Sequence, residues 1–165
     1  MEILIKKYLE KNNKNAVNMI DYSLKNIGKG DFIDFWNEKS IGLSKPIFTE
    51  EELKSIPLLE AQAQKINEIG QAKEEALYAP IAYLNTSFSA SERACQNMLG
   101  NLVLNGETVE WQELNKKPII MTRAQFQTLA VLVKNQRNAS YFKEGELMKK
   151  IALAKTPEEL KNIKW

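Results

Sequence analysis

The sequence predicts an α+β protein, predominantly α-helical, with a small antiparallel β-sheet. Three observations carry this reading. Four positions pair a hydroxyl with Glu or Gln three residues later, the pattern by which a helix start satisfies its orphan N–H groups: Thr49 with Glu52, Ser89 with Glu92, Thr122 with Gln125 and Thr156 with Glu159. An Ala-rich apolar stripe then recurs at helical spacing from Leu58 to Tyr78. Against this background the stretch Thr108–Thr122, TVEWQELNKKPIIMT, alternates on either side of a polar turn. The chain has 165 residues, 44% hydrophobic and 27% charged, enough for one domain or two small ones.

The N-terminal part reads as helices. Ala16, Val17, Ile20, Leu24 and Ile27 recur at helical spacing, and Gly28 to Asp31 break the chain. Phe32, Phe35 and Trp36 then form an aromatic face on a short helix. A loop leads to a short helix over Thr49–Ser55, and Pro57 opens the next. A boundary is therefore expected near Pro57, between a helical region 1–57 and an α+β domain 58–165.

In the longest helix, Leu58–Tyr78, one narrow stripe runs through Leu59, Ala63, Ile66 and Ile69. It suits packing against one partner helix, from the same chain or from a second copy in a homo-oligomer. Pro80 stops it. A strand is expected near 81–84, with a turn over Asn85–Ser87. A helix over Ser89–Leu104 turns Ala94, Cys95, Met98, Leu99 and Leu102 inward. The hairpin around 107–121 places Val109 and Trp111 on one face and Thr108 and Glu110 on the other. An isolated hairpin is marginal, so it needs the strand near 81–84 beside it or helices over one face. Helix Thr122–Asn138 follows. A further helix is lined by Phe142, Leu147, Ile151 and Ala154, and a last one by Leu160, Ile163 and Trp165.

The chemistry is defined mainly by what the residues exclude. With no histidine in the chain, Ser-His-Asp and Cys-His nucleophiles, common zinc sites and the usual general base near neutral pH all drop out. Cys95 is the only cysteine and reads as a small buried hydrophobe. The Gly28-Lys29-Gly30 stretch lacks the Gly-Lys-Ser/Thr ending of a phosphate loop and reads as a helix end and turn. Glu107 and Glu110 point to opposite faces of a strand, so they form no acid/base pair with each other. The glutamates Glu50–Glu52 and Glu158–Glu159 sit in first helical turns, where the helix dipole favours them. A net charge of +2, with only three Arg, forms no stripe for nucleic acid. No apolar run approaches the roughly 20 residues a membrane helix needs. The N-terminal order, apolar then basic, is the reverse of a signal peptide, so bacterial cytoplasm is the expected location. Neither cofactor nor metal is expected, and no catalytic residue is assigned. Trp36 reads as a core plug. Trp111 and Trp165 join the stripe as interface candidates, since Trp is enriched at binding hot spots.

From about Lys65 to Trp165 the chain resembles a domain of uncharacterised function found in tailed-phage and prophage proteins, often at the ends of tail-fibre or fibre-assembly proteins. The residues that carry the resemblance are KINEIGQA, then Tyr83, Phe88, Arg93, Gln96, Asn97 and Gly100, then VEW ending at Trp111, Asn115, IIMTRAQFQTLA and AKTPEELKNI. The resemblance implies a tail-fibre component, or an assembly factor (a chaperone) for the fibre. Such a protein binds a tail-fibre or other tail protein and ends in the host cytoplasm or the virion tail. It carries no catalytic residues to transfer. The alternative is a phage accessory protein that inhibits a host defence system by binding its effector.

Overall fold

The computed structural model describes residues 1–16, 21–26, 31–104 and 106–165. They divide into two compact units. The first holds Met1–Gln64 with Lys155–Glu158, the second Lys65–Ala154 with Glu159–Trp165. The fold is α+β and mainly helical, as the sequence predicts.

In the first unit, α1 (Glu2–Lys11) buries Leu4, Ile5 and Leu9, three apolar positions on one helical face. The next elements correct the sequence reading. Tyr22–Asn26 and Asp31–Trp36 are not helical but form an antiparallel pair, β1 and β2. The register shifts between Ser23 and Leu24: Ser23 faces Phe35, yet Leu24 faces Ile33. Asp34 is thus the extra residue of a β-bulge. The bulge allows Ile33 and Trp36, three residues apart, to join the same core, and that spacing imitates a helical face. Ile33 is buried there with Ile5, Leu9, Tyr22 and Ile41, and Trp36 and Leu24 pack against them. Trp36 sits 6.0 Å from the Tyr22 ring and donates its indole N–H to the Leu43 carbonyl at 2.8 Å, the core role expected of it. Phe32 and Phe35 are exposed. Val17, Ile20, Ile27 and the Gly28–Gly30 stretch lie outside the described residues. Asn37 caps the short α2 (Glu38–Ile41), and Gly42 closes it with a left-handed φ of 71°.

The helix α3 (Glu50–Tyr78) is one element, not two. Its start is the expected capping box: Glu52 N–H donates to Thr49 Oγ1 at 3.2 Å, and Thr49 N–H to the Glu52 carboxylate at 2.7 Å. Pro57 lies inside the helix rather than at its start. One missing N–H is outweighed by strong helix formers on both sides, Glu, Lys, Leu, Ala and Gln. The compact units divide within this helix.

The second unit contains two hairpins and two long helices. β3 (Ile81–Tyr83) and β4 (Thr86–Phe88) join through Leu84 and Asn85, both at positive φ, the geometry of a type I′ turn. β5 (Thr108–Gln112) pairs with β6 (Pro118–Thr122) in register Val109 opposite Met121. These are separate two-stranded sheets, so the strand at 81–83 does not extend the larger hairpin. One backbone bond, Leu114 N–H to the Ser87 carbonyl at 2.7 Å, ties the β5–β6 turn to β4. Helices cover the inner face instead. Val109 and Met121 enter a core with Ile81, Phe88, Met98, Phe126, Leu129 and Val133, and Trp111 meets the Phe126 ring edge-on at 5.1 Å.

Helix α4 (Glu92–Val103) is capped by Ser91, whose hydroxyl accepts from Ala94 N–H, and not by Ser89. Ser89 instead accepts from the Ser91 N–H at 3.2 Å. Helix α5 (Arg123–Leu153) begins with the expected Thr122–Gln125 capping box and then runs through Asn138 without a break. Within it, buried Ser140 satisfies its hydroxyl on the Gln136 carbonyl one turn back, at 2.9 Å. Phe142, expected to line a separate helix, is 76% exposed. The final α6 (Pro157–Lys161) starts at Pro157, as predicted, and buries Leu160.

Candidate docking groove

Helices α4 and α5 run antiparallel, and Arg123 fixes their register. Its guanidinium donates to the carbonyls of Asn101 at 2.7 Å and Leu104, and its Nε to that of Gly106 at 3.1 Å. No glycine ends α4, so one side chain satisfies carbonyls that the helix leaves open. At the other end, Arg137 Nη1 lies 3.8 Å from Cys95 Sγ, and its guanidinium stands 5.7 Å from the Tyr78 ring centroid.

Between these ends the two helices leave an open groove of ≈ 680 Å³. Its α4 wall is Cys95, Met98, Leu99 and Leu102; its α5 wall is Gln127, Ala130, Val131, Val133, Lys134, Arg137, Asn138 and Tyr141. Met98 is buried, but Leu99 is 66% and Val131 52% exposed. Leu99 therefore departs from the inward position expected of it. The lining carries two cations and no carboxylate. Glu92, beside Arg137, is engaged elsewhere, accepting from the Tyr78 hydroxyl at 3.2 Å. That bond first, and burial second, raise the Tyr78 hydroxyl above the ordinary tyrosine range.

A second cleft, more polar, of ≈ 790 Å³, lies where the start of α4 meets the β5–β6 turn. Ser91, Arg93, Asn97, Glu110, Trp111 and Glu113 are among its walls. It brings together Arg93, Asn97 and Trp111, three residues that the resemblance rests on.

The predicted interface residues separate. Trp111 is half-buried, packed on Phe126, with one side open to the polar cleft. Leu59 is half-buried, and Ala63 and Ile66 are exposed. Ile69 is only 2% exposed, so the stripe is partly consumed inside the chain. The reason is visible one turn further on. Lys73 bridges Glu144 at 3.3 Å, and Gln136 donates to the Ala79 carbonyl at 2.8 Å, which sets α3 antiparallel to α5. Continuing that register by one turn brings Ile69 to the level of buried Leu147. Trp165 is half-buried, with Lys143 Nζ 4.8 Å from its ring centroid.

Sequence reasoning missed the groove. Its signal is a second stripe on α5, separate from the core stripe. Gln127, Ala130, Lys134, Arg137 and Tyr141 repeat at alternating three- and four-residue steps, the spacing of a helix seam.

Residues 60–164 match the model of a family described as a domain of unknown function, DUF4376. The chain belongs to that family, and the match covers most of the region that carried the resemblance. No curated protein and no solved structure matches the chain. No helix among the described residues is long and apolar enough to cross a membrane.

Proposed function

We propose that this protein works by docking on another polypeptide, as a phage or prophage tail-fibre component or as an assembly factor for the fibre. The observation that carries the docking role is the α4–α5 groove. It is an apolar surface that the described residues leave open, with exposed Leu99 and Val131 on facing walls. Exposed contiguous apolar surface on a small domain marks an interaction site more often than it marks anything else. The tail assignment rests on the resemblance over residues 65–165. The absence of histidine supports action by contact rather than catalysis, since it removes the commonest general base and nucleophile partners.

The test separates intact particles from cleared lysate and identifies proteins in each by mass spectrometry. The protein in particles supports a tail component. The protein only in lysate, bound to fibre protein, supports an assembly factor. Its recovery with a host defence nuclease, or in neither fraction despite expression, overturns the tail assignment.

A further inference from the structure

The groove also indicates what fills it, on the premise that the protein docks at all. We infer that the α4–α5 groove receives an amphipathic helix of a partner polypeptide, whose apolar face carries a carboxylate that pairs with Arg137 and Lys134. Three observations lead to this occupant. The α5 wall repeats at alternating three- and four-residue steps, and α4 adds Cys95, Met98 or Leu99, and Leu102 at matching intervals, so the groove has the period of a helix. From Cys95 to Leu102 it runs roughly 10 Å, about two turns of an occupant. The lining is charged at one end only. Arg137 lies level with Cys95, Lys134 is one turn earlier on α5, and the Leu102–Gln127 end holds no charge. Among the described residues neither cation makes an ion pair, the lining supplies no carboxylate, and Glu92, which acts on Arg137 from outside the lining, is held by the Tyr78 hydroxyl.

Charge also argues against a second copy as occupant. An antiparallel two-fold dimer through this groove sets each charged end against the partner's uncharged Leu102–Gln127 end and gives the cations no carboxylate, while a parallel one brings Lys134 and Arg137 of both copies together. Like charges meeting in a partly desolvated seam oppose that pairing. A Glu or Asp on a foreign helix is instead complementary. Half-buried Arg137, with its planar fork and stacking on Tyr78, is suited to hold it bidentately.

The test uses the full chain and three labelled peptides of about 20 residues, long enough to form a helix. The first carries Leu at i, i+4 and i+7, with one Glu on the same face a turn beyond. The second replaces that Glu by Lys, and the third is scrambled. Fluorescence anisotropy is expected to show the Glu peptide binding at least about tenfold more tightly than the Lys peptide, a charge-assisted hydrogen bond's worth. Arg137→Gln should shrink that preference and Arg137→Gln with Lys134→Gln should erase it, each keeping residual binding of both peptides. Leu99→Asp, at an exposed position that leaves the fold intact by circular dichroism, should abolish binding of either. Equal affinity for Glu and Lys peptides, no binding of either, or binding indifferent to Leu99→Asp overturns the inference. A concentration-dependent dimer that Leu99→Asp dissolves overturns it too, in favour of a second copy. A protein that copurifies with fibre protein yet ignores the peptides refutes this occupant and leaves the docking role standing.

Discussion

Arg123 acts through both its backbone and its side chain. Just beyond β6 its backbone N–H donates to the Glu107 carbonyl at 2.8 Å, while its guanidinium closes the end of α4. It is thereby the hinge pin between the β5–β6 hairpin and both groove helices. Arg123→Ala leaves the Asn101, Leu104 and Gly106 carbonyls without this partner, and should cost about 1–3 kcal/mol by urea denaturation. Arg123→Lys should recover only part of that, because a point charge cannot reach three carbonyls in a fork. A Lys variant as stable as the parent removes this role. At the same scale Phe126, fully buried beneath Trp111, anchors the core face of α5; truncation to Ala should cost about 3–5 kcal/mol.

At the scale of elements, the long helices tolerate residues that weaken helices elsewhere. Gly100 in α4 and Gly145 in α5 each have open space where a Cβ would stand. Gly100→Ala and Gly145→Ala should each stabilise by about 0.5–1 kcal/mol, read as a rise in Tm of a few degrees. A fall in either Tm means that the position is held for close approach to something. Which elements were legible in the sequence follows from how cleanly each pattern repeats. Val109 and Trp111 alternate with polar neighbours around a polar turn, so the β5–β6 hairpin and its inward face could be read directly. The Thr49, Thr122 and Pro157 starts were legible because capping chemistry is local. The β2 strand was not, because its bulge at Asp34 gives Ile33 and Trp36 a helix-like spacing. Pro57 suggested a helix start that the helix formers on both sides override, and the helix end expected at Asn138 is overridden within α5, where Gln136 donates to the Ala79 carbonyl. The groove was hidden for another reason. Leu99 and Leu102 look alike in sequence, and only the packing of α5 decides which of the two stays open.

Across the whole molecule, ionisation points to one pH window. Tyr22 is raised chiefly by burial and then by Glu2, with Lys6 opposing. Tyr78 is raised by its bond to Glu92 and then by burial, and Lys73 by hydrogen bonds to Glu74 and Glu144 against opposing desolvation. Each raised group contributes stability that is complete below its unfolded value, 10.0 for tyrosine and 10.5 for lysine, and is lost as pH rises through the folded value. Chemical denaturation is therefore expected to give flat stability between about pH 7 and 9 from these groups, then a decline above about pH 10. Stability rising across that upper range contradicts the assigned environments of Tyr22, Tyr78 and Lys73. The second unit presents two clefts of similar volume, and docking is proposed at the apolar one. The most direct measurement mixes the purified protein with the proposed partner, a tail-fibre protein from the same source, and follows the complex by size-exclusion chromatography with mass detection. The parent and Arg93→Ala, an exposed position in the polar cleft's wall, should both enter the complex, while Leu99→Asp should elute free with an unchanged Tm. A complex that survives Leu99→Asp but is lost with Arg93→Ala, at unchanged Tm, contradicts docking in the apolar groove.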